Sequence, residues 1–166
     1  VMVQDGRITA VTRDRPAGAE AIDGILAPGF VDLQVNGGGG LMVGAGTDAA
    51  VLARICAAHR GLGCAGVLPT LITDRPQVTA QVLAAGAQAA RARIPGFLGL
   101  HLEGPHLDPR RAGAHDPALI RPMTADDLAQ LVDAAARLPA LMVTLAPGAA
   151  TPDQIAALSR AGVIVS

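Results

Sequence analysis

Between residues 25 and 166, short apolar runs alternate with longer segments of helical period, and that alternation restricts the chain to a parallel α/β architecture. Strands are expected over residues 25–36, 66–72, 97–103, 141–145 and 163–166, with helices between them over residues 50–61, 74–93, 124–138 and 151–162. The helix starts carry recognisable caps. Thr47-Asp48 precedes the first, Thr124-Ala-Asp-Asp opens the third, and Thr151-Pro152-Asp153 opens the fourth with proline at its first position. Crossovers between parallel strands of this kind are right-handed. A doubly wound open sheet fits the same alternation, but no G-x-G-x-x-G and no phosphate-cradling loop follows any strand.

The third strand carries the most chemistry. Gly99, His101 and Glu103 alternate with Leu98, Leu100 and Leu102, so His101 and Glu103 share one face. Gly104-Pro105 ends the strand and leaves a carboxylate at its C-terminal end, under a connection over residues 106–122 that is long for such a fold. In an α/β barrel that end is where chemistry sits. Read on its own, Glu103 is equally a buried carboxylate paired to an arginine. His101 reads as a core or supporting residue, His106 as a loop position, and His59, near a helix C-terminus where a cation is favoured, as a surface residue.

Before this unit, Asp5-Gly6 between two short apolar runs predicts a hairpin, followed by a polar connector over residues 13–23. The glycines at 37–40 suit either a flexible loop or close backbone approach to a ligand. Thirteen basic residues, all arginine, against 14 acidic ones give a net charge of −1, which excludes a general nucleic-acid or membrane-surface binder. Cys56 and Cys64 have no C-x-x-C or metal-finger spacing and read as reduced core thiols. Without a run of about 18 apolar residues, the expectation is a soluble cytoplasmic protein.

Four segments match one family in order and spacing. Ala27-Pro-Gly-Phe-Val-Asp-Leu-Gln-Val-Asn-Gly-Gly-Gly-Gly40, Gly66-Val-Leu-Pro-Thr-Leu-Ile-Thr73, Leu98-Gly-Leu-His-Leu-Glu-Gly-Pro105 and Gly113-Ala-His-Asp-Pro117 resemble the N-acetylglucosamine-6-phosphate deacetylases of the amidohydrolase superfamily. The resemblance implies a partial (β/α)8 TIM barrel over residues 27–166, about four βα units and a fifth strand, preceded by part of a small β-sandwich domain over residues 1–26. A whole barrel takes about 250 residues. The chain therefore corresponds to the N-terminal half of such an enzyme, and further sequence is expected before Val1 and after Ser166.

The implied reaction is hydrolysis of the acetamide of N-acetylglucosamine 6-phosphate to glucosamine 6-phosphate and acetate. The resemblance makes Glu103 a ligand of one divalent metal ion, zinc first, with iron or manganese compatible. It places Ala114, through its backbone, and His115 against the sugar, and leaves Arg110 and Arg111 as a solvated pair that could also meet a sugar phosphate. Gln34-Val35-Asn36 stands where most of the superfamily has His-x-His; amides are poor zinc ligands, so a single metal is implied. Two histidine ligands and the general acid/base aspartate are expected beyond Ser166, so no catalytic residue of that kind lies within the chain. Alone, the chain is expected neither to hold metal tightly nor to turn over substrate. The implied partners are a small amino-sugar phosphate and, in the full-length protein, a second copy. The alternatives are another amidohydrolase, such as a dihydroorotase-like or acyl-amino-acid hydrolase, or a non-catalytic sugar-phosphate-binding remnant; loss of the later histidines or the aspartate would favour the remnant.

Overall fold

The structure, a computed structural model, describes residues Val1–Ser166. Strands β1 (Met2–Gln4) and β2 (Arg7–Ala10) form the expected antiparallel hairpin. Its turn needs positive φ at both central residues, and Asp5 and Gly6 adopt 51° and 72°. The hairpin makes a two-stranded sheet of its own, and residues 11–29 contain no regular element.

The rest follows as β3 (Phe30–Val35), β4 (Gly37–Gly38), β5 (Leu41–Met42), α1 (Ala49–Arg60), β6 (Cys64–Ile72), α2 (Pro76–Arg91), β7 (Leu100–Glu103), α3 (Ala125–Ala135), β8 (Leu141–Thr144), α4 (Pro152–Arg160) and β9 (Ile164–Val165). The main sheet has five parallel strands in the order β3-β6-β7-β8-β9. Each new strand is laid beside the previous one and the order never reverses, so the sheet is singly wound and has no doubly wound switch point. Ile72 and Thr144 are both in register with Glu103, which brings the C-terminal ends of β6, β7 and β8 level.

Helices close one face of this sheet through Leu52 and Ile55 of α1, Val82 of α2 and Leu158 of α4, all fully buried, against Val67, Leu100, Leu141 and Val143. Burial of each large side chain contributes about 1.5–3 kcal/mol. α2 comes especially close. A Cβ on Gly86 would stand 2.4 Å from Leu100 Cδ1, so the glycine that looks like a flaw in the helix is a packing site. The caps are as expected: Asp48 accepts from Val51 N, and Thr124 with Asp127 and Thr151 with Gln154 form reciprocal capping boxes. α2 starts later than expected, at Pro76, and its cap position, Arg75, makes no side-chain bond.

β3 and β7 start several residues later than the apolar pattern predicts. β3 begins at Phe30, and Ile25 is 95% exposed. β7 begins at Leu100 because Gly99 takes φ 140° and lies against the connection that leads from α3 into β8; a Cβ there would stand 2.0 Å from Ala140 O. Pro69 sits inside β6, where it can donate nothing to the ladder. The β3–β6 register shifts between Asp32 and Val35, and Val35 N–H donates instead to Thr70 Oγ1 at 2.9 Å. No helix is long and apolar enough to cross a membrane.

Candidate active site

Four segments meet at the C-terminal end of the sheet. Glu103 is the last residue of β7, and its carboxylate is 23% exposed. Gln34, from β3, reaches across the end of β6 and donates from Nε2 to Glu103 Oε2 at 2.9 Å. The other oxygen, Oε1, faces His115 Nε2 at 3.7 Å, longer than a hydrogen bond. His115 comes from the long connection after β7, and its Nδ1 lies 2.8 Å from Thr73 Oγ1 and 3.3 Å from Thr73 N, just past the end of β6. Its side chain is only 10% exposed although it belongs to a loop. Ala114 beside it is exposed, and neither its N–H nor its carbonyl is taken by another group of the chain.

The other singled-out residues separate from this cluster. His101 is buried with both ring nitrogens occupied, Nδ1 at 3.3 Å from Thr70 Oγ1 and Nε2 at 2.8 Å from Thr144 Oγ1. Burial lowers its pKa against the raising influence of the Glu103 charge, so it serves as a neutral tie between β6 and β8. His106 is buried rather than solvated, and its Nδ1–H donates to Arg121 O at 3.2 Å. His59 is not a free surface residue either: it is half-buried and donates from Nε2 to Gly37 O at 2.9 Å. The glycines beside it form the tight β4–β5 hairpin, in which a Cβ on Gly37 would stand 2.1 Å from Leu41 O. Arg110 is solvated as expected, paired to Asp108 at 2.8 Å, and its guanidinium holds the Asp108 carboxyl down at about 2. Cys56 is a buried free thiol whose pKa burial pushes up to about 11, and Cys64 is also unpaired.

Of the residues singled out for the site in the sequence, Glu103, Ala114 and His115 come together here, and two of their partners are not among those singled out. Gln34 was read for what it is not, a histidine, and its amide bond to Glu103 went unseen. Thr73 closes the Gly66–Thr73 motif, which is the signal that could have drawn attention to it. A cavity of about 370 Å³ lies elsewhere: Leu107, Asp108, Arg110, Ile120, Arg121 and Pro147 line it, and none of the site residues does.

The donors fall short of a metal site. No three His, Cys, Asp or Glu side chains cluster, Gln34 contributes an amide, and one nitrogen of His115 is engaged by Thr73. The one buried side-chain polar atom without a partner, Asn36 Nδ2, is a donor and offers a cation nothing. A metal held at a catalytic site normally has three protein ligands, so these residues do not complete one by themselves.

No family model matches the chain. Among curated proteins it is 39% identical over 155 residues to the N-acetylgalactosamine-6-phosphate deacetylase of Shewanella sp. (strain ANA-3), covering 93% of this chain and 39% of that protein. It is 36% identical over 150 residues to the N-acetylglucosamine-6-phosphate deacetylase of Homo sapiens, covering 86% and 36%. Among solved structures it superposes on the N-acetylglucosamine-6-phosphate deacetylase from Pasteurella multocida with a TM-score of 0.77 at 29% identity, over 83% of this chain and 36% of that one. The enzyme of that name from Mycobacterium smegmatis gives 0.71 at 37% identity over the same shares. Over most of its length the chain is therefore a relative of N-acetylglucosamine-6-phosphate deacetylase and its galactosamine counterpart, and it spans little more than a third of the length of those it matches.

Proposed function

We propose that this chain supplies the acetamide-binding side of an N-acetylglucosamine-6-phosphate deacetylase. The observation that carries the reading is the convergence of Gln34, Glu103, His115 and the free backbone of Ala114 at one end of the parallel sheet. The singly wound strand order supports taking β3, β6, β7, β8 and β9 as the first five staves of a (β/α)8 barrel, with the β1–β2 hairpin as part of a small β-sandwich. A cytoplasmic homodimer belongs to the same proposal.

In the reaction the oxygen of water bonds to the acetyl carbon and the carbon–nitrogen bond breaks. Acetate forms, and the amine leaves with a proton. His115 donates a hydrogen bond from its ring to the bound amino sugar, and the backbone of Ala114 holds a second sugar group. Gln34 fixes the Glu103 carboxylate in one orientation. Through Glu103 the chain contributes one ligand to a single divalent ion, zinc first and iron or manganese compatible, with the remaining donors outside these residues. Such an ion, when bound, polarises an acyl oxygen and acidifies water.

The relative matched at 39% is named for the galacto epimer, which favours a second reading in which the sugar is N-acetylgalactosamine 6-phosphate. One experiment tests both. Acetate release by the full-length protein is followed with each epimer, for the wild type, Glu103→Gln and His115→Ala. Either variant is expected to lose at least a hundredfold in kcat/KM, on the order of removing one directed polar group from a site of this kind. Wild-type rates in both variants would refute the assignment of the site, and the ratio of kcat/KM values decides the epimer.

A further inference from the structure

We propose that Thr73 is a positioning residue that sets the tautomer of His115 and thereby aims a ring N–H at the Glu103 side of the site; its role in turnover rests on the deacetylase reading above. Two donors of one residue converge on one ring nitrogen. The Thr73 backbone N–H points at His115 Nδ1 at 3.3 Å and the Thr73 hydroxyl lies 2.8 Å from the same atom. A hydroxyl can donate or accept, and so it decides nothing alone. The backbone N–H decides, because it can only donate and cannot face a second N–H. Nδ1 is therefore bare, and the hydrogen of the neutral ring sits on Nε2.

Burial makes the alternative costly. Thr73 is 6% exposed, and its N–H has no partner other than His115. The opposite tautomer would leave that buried donor unpaired, and it would turn a bare Nε2 toward the Glu103 carboxylate. In the arrangement present, Nε2 stands 3.7 Å from Glu103 Oε1, too far for its N–H to be consumed by it and free to meet a ligand oxygen beside the pair. The loop alone does not impose this. His115 hangs from the connection after β7, whereas Thr73 is fixed by the end of β6, so the ring is held against the sheet by a residue 42 positions earlier.

Gly104 is part of the same device. It follows Glu103 with φ 86°, and a Cβ there would stand 2.2 Å from Thr73 Oγ1. The absent side chain leaves the space that the threonine hydroxyl occupies. Glu-Gly at the end of β7 thus does two jobs, presenting the carboxylate and clearing room for the group that orients its neighbouring imidazole.

The test uses the full-length protein labelled with nitrogen-15 in histidine, at about pH 8. Long-range proton–nitrogen correlations within the ring distinguish Nε2–H from Nδ1–H, and the His115 signal is identified by its loss in His115→Asn. The wild type and Thr73→Ser are expected to show the Nε2–H form alone. Thr73→Val, which loses the hydroxyl but keeps the backbone N–H, is expected to keep the Nε2–H form, with the Nδ1 resonance displaced by the lost contact, and to lower kcat/KM by about three- to tenfold, the worth of one hydrogen bond. Thr73→Ser should recover to within about twofold of the wild type. An Nδ1–H tautomer in the wild type or in Thr73→Val overturns the proposal, and so does a Thr73→Val protein unchanged in both spectrum and kcat/KM. A wild type with the Nε2–H form that releases no acetate overturns the deacetylase reading and supports the positioning of the ring.

Discussion

Replacing Asp127 with alanine should loosen the connection that carries His115 and destabilise the fold by a calculable amount. Asp127 sits in the first turn of α3 and accepts four bonds: from Arg121 Nη1 and Nη2 at 2.5 and 2.7 Å, and from Thr124 N and Oγ1 at 2.8 and 2.7 Å. Arg121 in turn anchors the loop, its N–H donating to Pro105 O and its carbonyl accepting from His106. The capping bonds to Thr124 are worth about 1 kcal/mol. A fully buried ion pair broken on one side costs about 3–5 kcal/mol, but Arg121 is 32% exposed and reaches water when released, so about 1–2 kcal/mol is appropriate here. The sum, about 2–3 kcal/mol, corresponds to a fall in Tm of about 4–12 °C for a domain of this size.

The control is Asp133→Ala, which removes an exposed i,i+4 pair with Arg137 and should cost under about 0.5 kcal/mol. Thermal and urea unfolding of the wild type and both variants, followed by circular dichroism, give the comparison. The pH dependence has a definite sign. Burial works against the Asp127 charge, but the bonds from Arg121 and Thr124 outweigh it and hold the carboxyl well below the usual range. Its contribution is full above about pH 4, the unfolded value, and is lost as pH falls through the folded one. Two results would refute the reasoning: an Asp127→Ala protein within 0.5 kcal/mol of the wild type, or equal losses in the Asp127 and Asp133 variants.

Gly99→Ala should cost about 2–4 kcal/mol in urea unfolding, since it places a Cβ 2.0 Å from Ala140 O at φ 140°; a loss under about 1 kcal/mol would mean that this crossing relaxes freely. Gly104→Ala should displace the Thr73 hydroxyl and lower kcat/KM at least as far as Thr73→Val, and unchanged turnover would remove Gly104 from the site. His106 is held neutral by burial, which lowers its pKa against the Arg121 carbonyl and the Asp127 charge. Its share of stability is therefore full above about pH 6.5 and declines as pH falls below it, so the urea midpoint of the wild type should drop more between pH 7.5 and 5.5 than that of His106→Leu. The chain of residues 1–166 alone should release acetate no faster than a protein-free blank, because its donors do not complete a metal site.

What the sequence makes legible here is what a few consecutive residues decide. The capping boxes at Thr124 and Thr151 and the Asp48 cap close within three residues, so composition at the helix start suffices to place them. The period of two puts His101 and Glu103 on one face, and the structure keeps them there, His101 bonded to the flanking strands β6 and β8 and Glu103 to Gln34 of β3, two strands away. Strand limits are another matter. The onset of β7 is set by Gly99 against Ala140, and the hairpin after β3 by Gly37 against Leu41, approaches of backbone to backbone that no apolar pattern encodes.

The same division runs through the site. Glu103 and His115 are marked by residue type and by a motif, but what orients each lies far off in the chain: Gln34 is 69 positions from Glu103, and Thr73 is 42 from His115. A carboxylate and an imidazole 3.7 Å apart have no fixed chemistry until it is known which oxygen is occupied and which ring nitrogen carries the hydrogen. Gln34 settles the first by taking Oε2, and Thr73 settles the second by presenting an N–H that only a bare nitrogen can accept. Both are neutral residues of the kind usually assigned to support. The orientation of the carboxylate and the imidazole depends on them, and that dependence appears only once β3 and β6 are laid beside β7.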